Sequence, residues 1–207
     1  PHAAALAVKL FGKRPKLLDK VVRLVKSKEL IDTIGLTQHI TAPYLPEDYK
    51  KDLGHYVVDQ VVHVEASWHH QKGKGVVEET TFIESLPFQQ YDLKLGALVA
   101  TADPRDSNFK KILKMHNQAS PHFRGIRKMA SFHEDKGIYA WTDEPHLYRN
   151  KKFLKGFELL AQYDLSFDAW TYSTQLSDVI ALAKQFPETS IVLDHLGTPA
   201  GLFFFFF

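Results

Sequence analysis

The chain of 207 residues contains no cysteine. Disulfides, thiolate metal sites and cysteine nucleophiles are therefore excluded. A cysteine-free chain suits a reducing cytoplasm, which is the location expected. Charge of one sign is also missing: 26 basic residues against 24 acidic ones leave a net charge of +2. That balance gives no general attraction to nucleic acid, so no nucleic-acid partner is expected. No apolar run approaches the length of a membrane span, and the first residues lack the layout of a signal peptide. No membrane partner is expected either. Phosphate-binding glycine loops of the G-x-G-x-x-G or G-x-x-x-x-G-K-[ST] kind are absent after every strand-like segment. Gly73-Lys74-Gly75 is the nearest approach and reads as a flexible loop.

What is present is apolar material: 44% of residues are hydrophobic and 13% aromatic, enough for one sizeable core. From about residue 57 onward, strand and helix patterns alternate. Strands are expected at Val57–Ala66, Leu95–Ala102, Phe123–Met129, Ser166–Tyr172 and Ile191–His195. Helical stripes fall between them: Phe109, Ile112, Leu113 and His116; Phe153, Phe157, Leu160 and Ala161; Leu176, Val179, Ile180 and Ala183. Such alternation implies right-handed βα units and adjacent parallel strands in chain order. Before residue 57 the pattern differs. Pro15 to Lys28 reads as a basic amphipathic helix, and Tyr44 to Tyr49 as an extended segment leading into a turn. Five such units are too few for a closed eight-stranded barrel of about 250 residues; an open doubly wound sheet is the other candidate.

Both ends are unusual. The first residue is proline, and Phe203 to Phe207 form an unbroken phenylalanine run, read as an artefact and left outside the domain.

The chemistry-bearing residues cluster at strand ends. The run Ile191-Val192-Leu193 is a buried-strand pattern that ends in Asp194-His195. In α/β folds, sites sit at the carboxyl ends of the strands. His195 is thus placed as a ligand or general base; the alternative is a histidine hydrogen-bonded in a strand-end turn. Arg127 shares a strand face with Gly125, which leaves room for a neighbouring group or ligand. Its planar guanidinium suits a carboxylate or a lactone carbonyl, or a structural ion pair with a carboxylate such as Asp168. Ser166, Asp168, Trp170 and Tyr172 share one face and offer a carboxylate, an indole and a phenol. His63 and Glu65 share a face with Val61; a buried ion pair or solvent-facing end is the commoner use of such a pair than metal binding. Most of the eleven histidines, including His69, His70, His122 and His146, fall in loops and call for no special role. His69 and His70 are adjacent, so on an extended chain they would point apart.

Taken in order, Tyr44-Leu45-Pro46-Glu47-Asp48-Tyr49, Val62-His63-Val64-Glu65-Ala66, Ala102-Asp103-Pro104, Arg124-Gly125-Ile126-Arg127, Leu165-Ser166-Phe167-Asp168 and Val192-Leu193-Asp194-His195-Leu196-Gly197 resemble the amidohydrolase-related family of TIM-barrel hydrolases, of the fuconolactonase and pyrone-dicarboxylate lactonase type. The resemblance implies an α/β (β/α)8 barrel, incomplete here, with about strands two to six present in residues 1–202. It implies a hydrolase that cleaves a lactone or related ester or amide by water attack on a carbonyl. It implies His195 as the catalytic histidine, directly or as a metal ligand, with Arg127, Asp168, Trp170 and Glu65 on the substrate side. Some family members use one divalent metal such as zinc. The partner implied is a small-molecule substrate; no pattern sets an oligomeric state. The family's His-x-His pair after the first strand and its aspartate after the eighth are not in this sequence. The chain is therefore expected to be an internal fragment, inactive and poorly soluble as it stands. The rival expectation is a truncated or degenerate non-catalytic chain, at most a small-molecule binding module.

Overall fold

The computed structural model describes residues 14, 17, 20, 43–70, 72–135 and 138–199. Apart from Leu17 and Lys20, the expected basic helix at Pro15 to Lys28 lies outside the described residues, as does the phenylalanine run. The chain divides into two units, Pro1–His55 and Tyr56–Phe207.

In the first unit, Pro46–Leu53 forms a helix, α1, where the sequence suggested an extended segment and turn. The local signals favour the helix. Pro46 opens it with its φ already helical, and Asp48 accepts a hydrogen bond from the Leu45 backbone N–H at 3.0 Å. Glu47 and Asp48 sit in the first turn and Lys50 and Lys51 in the last, each complementing the helix dipole. Gly54 ends it at φ +56°.

The second unit alternates as its sequence implies: β1 (Val61–Val64), α2 (Val77–Glu84), β2 (Leu95–Thr101), α3 (Phe109–Ala119), β3 (Phe123–Met129), α4 (Lys151–Gln162), β4 (Ser166–Trp170), α5 (Leu176–Gln185) and β5 (Ile191–Leu193). The strands make one sheet in the order β1-β2-β3-β4-β5, and every neighbouring pair is parallel. This is half of a β/α barrel. Strand bounds are shorter than the sequence suggested wherever pairing runs out. β1 starts at Val61 because that residue is the first to find a partner, Leu95; Val57 upstream is 90% exposed. β5 stops at Leu193 because His195 and Leu196 turn to left-handed φ.

The helical face of the sheet carries the core. α4 lays Phe153, Phe157 and Leu160 in one fully buried stripe. Phe153 and Phe157 meet Phe167 of β4 edge-on, at ring distances of 5.9 and 5.0 Å. Asn150 starts this helix by accepting hydrogen bonds from the backbone N–H groups of Lys152 and Phe153. α3 buries Phe109, Ile112, Leu113 and His116, as its spacing implied. In α5 the buried face is rotated from the expected stripe: Val179 and Leu182 are inside, and Ile180 is 54% exposed. The cause is Asp178, a buried carboxylate held by Arg149 at 2.5 Å and His146 at 2.8 Å. Satisfying that charge fixes the helix rotation.

The opposite face is built in layers. Register places Thr101, Arg127, Asp168 and Val192 in one row across four strands, and Val64, Val99, Gly125 and Ser166 in the row below. Gly125 is required there. A Cβ at this position would lie 2.8 Å from the Ser166 carbonyl oxygen and closer still to its hydroxyl. Gly125→Ala is therefore expected to cost about 1–3 kcal/mol by overpacking, read by urea unfolding. A loss below about 0.5 kcal/mol, the scale of an inconsequential surface change, would contradict this layer packing.

Candidate active site

Arg127 is the centre of the layered face. Its Nε donates to Glu65 Oε1 at 2.8 Å, its Nη1 to Asp194 Oδ2 at 3.3 Å, and its Nη2 to the Glu65 backbone carbonyl. The guanidinium carbon lies 5.0 Å from the centre of the Trp170 ring. Glu65 follows β1, Asp194 follows β5, and Trp170 closes β4. One buried side chain of β3 thus ties together the carboxyl ends of four strands. His63 and Glu65 do not act as a pair. His63 Nε2 lies 3.1 Å from Glu79 Oε1 on α2, while Glu65 turns to Arg127.

Asp168 lies in the same row as Arg127 and is buried. Burial and the negative charge of Asp194 raise its pKa to about 6, with Arg127 acting in the opposite direction. The cluster holds three carboxyl groups, Glu65, Asp168 and Asp194, around one guanidinium. One proton more or less at Asp168 therefore changes the local charge at near-neutral pH.

His195 joins this group through Trp170, whose ring lies 4.9 Å away, edge to face. The imidazole is exposed, and its backbone sits at φ +49°. Leu196, Gly197 and Thr198 also have positive φ, at +54°, +72° and +37°. Three consecutive-turn residues other than glycine in this region is a strained arrangement. It swings His195 off the strand direction and against Trp170. Glu65, Arg127, Trp170 and His195 are thereby linked in one continuous chain of contacts, with Asp168 in the Arg127 row.

The sequence carried no signal for Gln175, Tyr139 or Trp141, which help frame this mouth. Gln175 uses both amide N–H groups and its oxygen twice: it donates to the carbonyls of Ala130 and Pro145 and accepts from the N–H groups of Phe132 and Tyr172. It pins the segment after β3. Tyr172 adds a hydrogen bond to the Tyr139 carbonyl. That segment delivers Trp141, whose ring lies 5.5 Å from Trp170 and 5.1 Å from Tyr139. An aromatic wall of Tyr139, Trp141 and Trp170 results. Only Trp170 carried a sequence signal, its strand-face position. Asp194 carried the same signal as His195, the end of a buried strand.

Among the described residues, the mouth does not fit a zinc site. His195 is the one imidazole in contact with the cluster, and Glu65 and Asp194 are both engaged by Arg127. Among the described residues, the one group of three ligand-type side chains with converging atoms is His69, His70 and Glu78. The expectation that His69 and His70 point apart is overturned. The chain is not extended there, since β1 ends at Val64 and Ser67 turns at φ +57°, and the two rings lie 4.2 Å apart.

Residues 44–202 match the amidohydrolase family. The chain is 30% identical over 158 residues to the uncharacterized protein y4mH of Sinorhizobium fredii, covering 76% of this chain and 51% of that protein. It is 28% identical over 133 residues to the L-fucono-1,5-lactonase of Burkholderia ambifaria, covering 59% of this chain and 42% of the lactonase. Two crystal structures of an amidohydrolase from Burkholderia multivorans share the fold. The one with bound zinc has a TM-score of 0.60 at 22% identity, over 82% of this chain and 53% of that one. The one with bound HEPES has a TM-score of 0.58 at 20% identity, over 80% and 52%. The chain spans about half the length of the curated relatives it matches. Among the described residues, no helix is long and apolar enough to cross a membrane. With a family match over most of its length and a parallel half-barrel that aligns with solved members, the chain belongs to the amidohydrolase family.

Proposed function

We propose that this chain supplies the strand-two-to-six part of a hydrolase that opens a lactone or related ester or amide. The observation that carries the reading is the buried cluster of Arg127, Glu65, Asp194 and Asp168 beside Trp170 and His195, all at or near the carboxyl ends of their strands. The lactonase relative supports the substrate class.

In this reading, water attacks the carbonyl carbon and the carbonyl oxygen gains negative charge. His195 faces the substrate and stabilises that oxygen by hydrogen bonding. Arg127 has five N–H donors, of which three are engaged. Those three orient Glu65 and Asp194, and the remaining two contact the substrate. Asp168 exchanges a proton with the reacting oxygen atoms, a role suited to a carboxyl group with a pKa of about 6. Trp170 and the neighbouring aromatic wall cover the apolar side of the substrate ring. The substrate is a small molecule. No step is routed through a metal, because the described residues at the mouth do not gather three ligands.

Two measurements test these roles. In the protein that carries these strands, lactone opening releases acid and is followed at constant pH. His195→Ala is expected to lower kcat by at least about 100-fold while leaving the unfolding midpoint nearly unchanged. Unaltered turnover, or no opening of any lactone in a broad panel, would contradict the proposal. For Asp168, the folded pKa of about 6 lies above the reference value of 3.8. The folded state then holds the proton longer, so Asp168 costs stability as pH rises through that window. Asp168→Asn is expected to be more stable than the parent chain at pH 8, by up to about 3 kcal/mol at 1.36 kcal/mol per pKa unit. The gap should close below pH 4. A gap independent of pH would show that Asp168 titrates normally.

A further inference from the structure

We propose that His69, His70 and Glu78 form a binding site for a late first-row divalent metal such as zinc, separate in its residues from the Arg127 cluster. One ligand atom from each side chain lies within 4.8 Å of the other two. Glu78 Oε2 is the shared point, 2.7 Å from His70 Nδ1 and 3.6 Å from His69 Nε2. A cation entering between them takes the place of the proton now shared by His70 and Glu78.

The ligands are already oriented. Trp68 Nε1–H donates to Glu78 Oε2 at 3.3 Å, an outer hydrogen bond of the kind that fixes a metal-binding carboxylate. The His69 ring packs at a tilt against Trp68, at 4.8 Å, and against His70, at 4.2 Å. Gly75 makes the seat for His70: a Cβ there would lie 2.7 Å from His70 Cβ.

The site opens on a concavity of about 500 Å³, which leaves room for water to complete a tetrahedral shell. Two imidazoles and one carboxylate select zinc, copper, nickel or cobalt over magnesium and calcium. Lys72 lines the same concavity and is the one opposing charge in its lining. All three ligands are exposed, so the affinity expected is micromolar rather than that of a buried structural site. Bound metal would clip the loop carrying His69 and His70 to the first turn of α2, where Glu78 sits.

Calorimetric titration of zinc into the 207-residue chain tests the site, with cobalt absorption as a second readout of ligand geometry. The expected result is one zinc bound, no heat from magnesium, and a Kd raised at least tenfold by His69→Ala, by His70→Ala and by Glu78→Gln. Gly75→Ala should weaken binding as well, and His133→Ala should leave it unchanged. Circular dichroism checks that these surface variants stay folded. Absence of zinc binding, or zinc binding that survives the His69→Ala/His70→Ala double variant, would overturn the proposal.

Discussion

Arg127 is the constraint on which the carboxyl end of this half-barrel sheet depends. Its positive charge is buried together with Glu65 and within reach of Asp194, and no burial of that kind is tolerated without partners. Every element that contributes a partner is thereby fixed in position. Glu65 just after β1 and Asp194 just after β5 accept from the Arg127 N–H groups, and Trp170 offers its ring face to the guanidinium. Asp168, left with burial and a like charge nearby, is pushed toward neutral pH as a result. The Asp168 carboxyl and the ion pairs of Arg127 belong to one arrangement.

The fold was largely legible in the sequence because its signals are local. Val, Leu and Ile mark β1, β2 and β5, and the stripes on α3 and α4 have helical spacing, so apolar patterning identifies them. The α5 stripe misled because Asp178 is buried with two hydrogen-bonding partners distant in sequence, Arg149 and His146. Apolar periodicity has no means of recording that. Strand ends were overextended for a similar reason: hydrophobicity continues past the last partner residue, as at Val57, while hydrogen bonding does not. At α1 the signals were present, in Pro46 and Asp48, and a reading centred on apolar spacing passed over them.

The geometry of the candidate site was legible in part. Strand-end position picked out His195 and Arg127, and strand-face alternation picked out Asp168 and Trp170. Alternation also placed Glu65 with His63, whereas Glu65 lies just beyond β1 and follows Arg127 instead. Gln175 gave no signal, because its four hydrogen bonds go to backbone groups whose positions depend on the fold. The left-handed turn at His195 to Thr198 gave none either, since only Gly197 among its residues favours that conformation. Strain of about 1–3 kcal/mol per such residue persists where surrounding structure demands it, and here it brings His195 against Trp170.

The central claim is that Arg127 and Glu65 act as one buried unit. A double-mutant cycle in urea unfolding measures this directly, with Arg127→Met, Glu65→Gln and the pair in one chain. Each single variant leaves a buried partner uncompensated and should be strongly destabilised. The double variant should be more stable than the sum of the two losses by at least about 1.5 kcal/mol. Additive losses, within about 0.5 kcal/mol, would show that the two side chains contribute independently and that the mouth is not organised around Arg127.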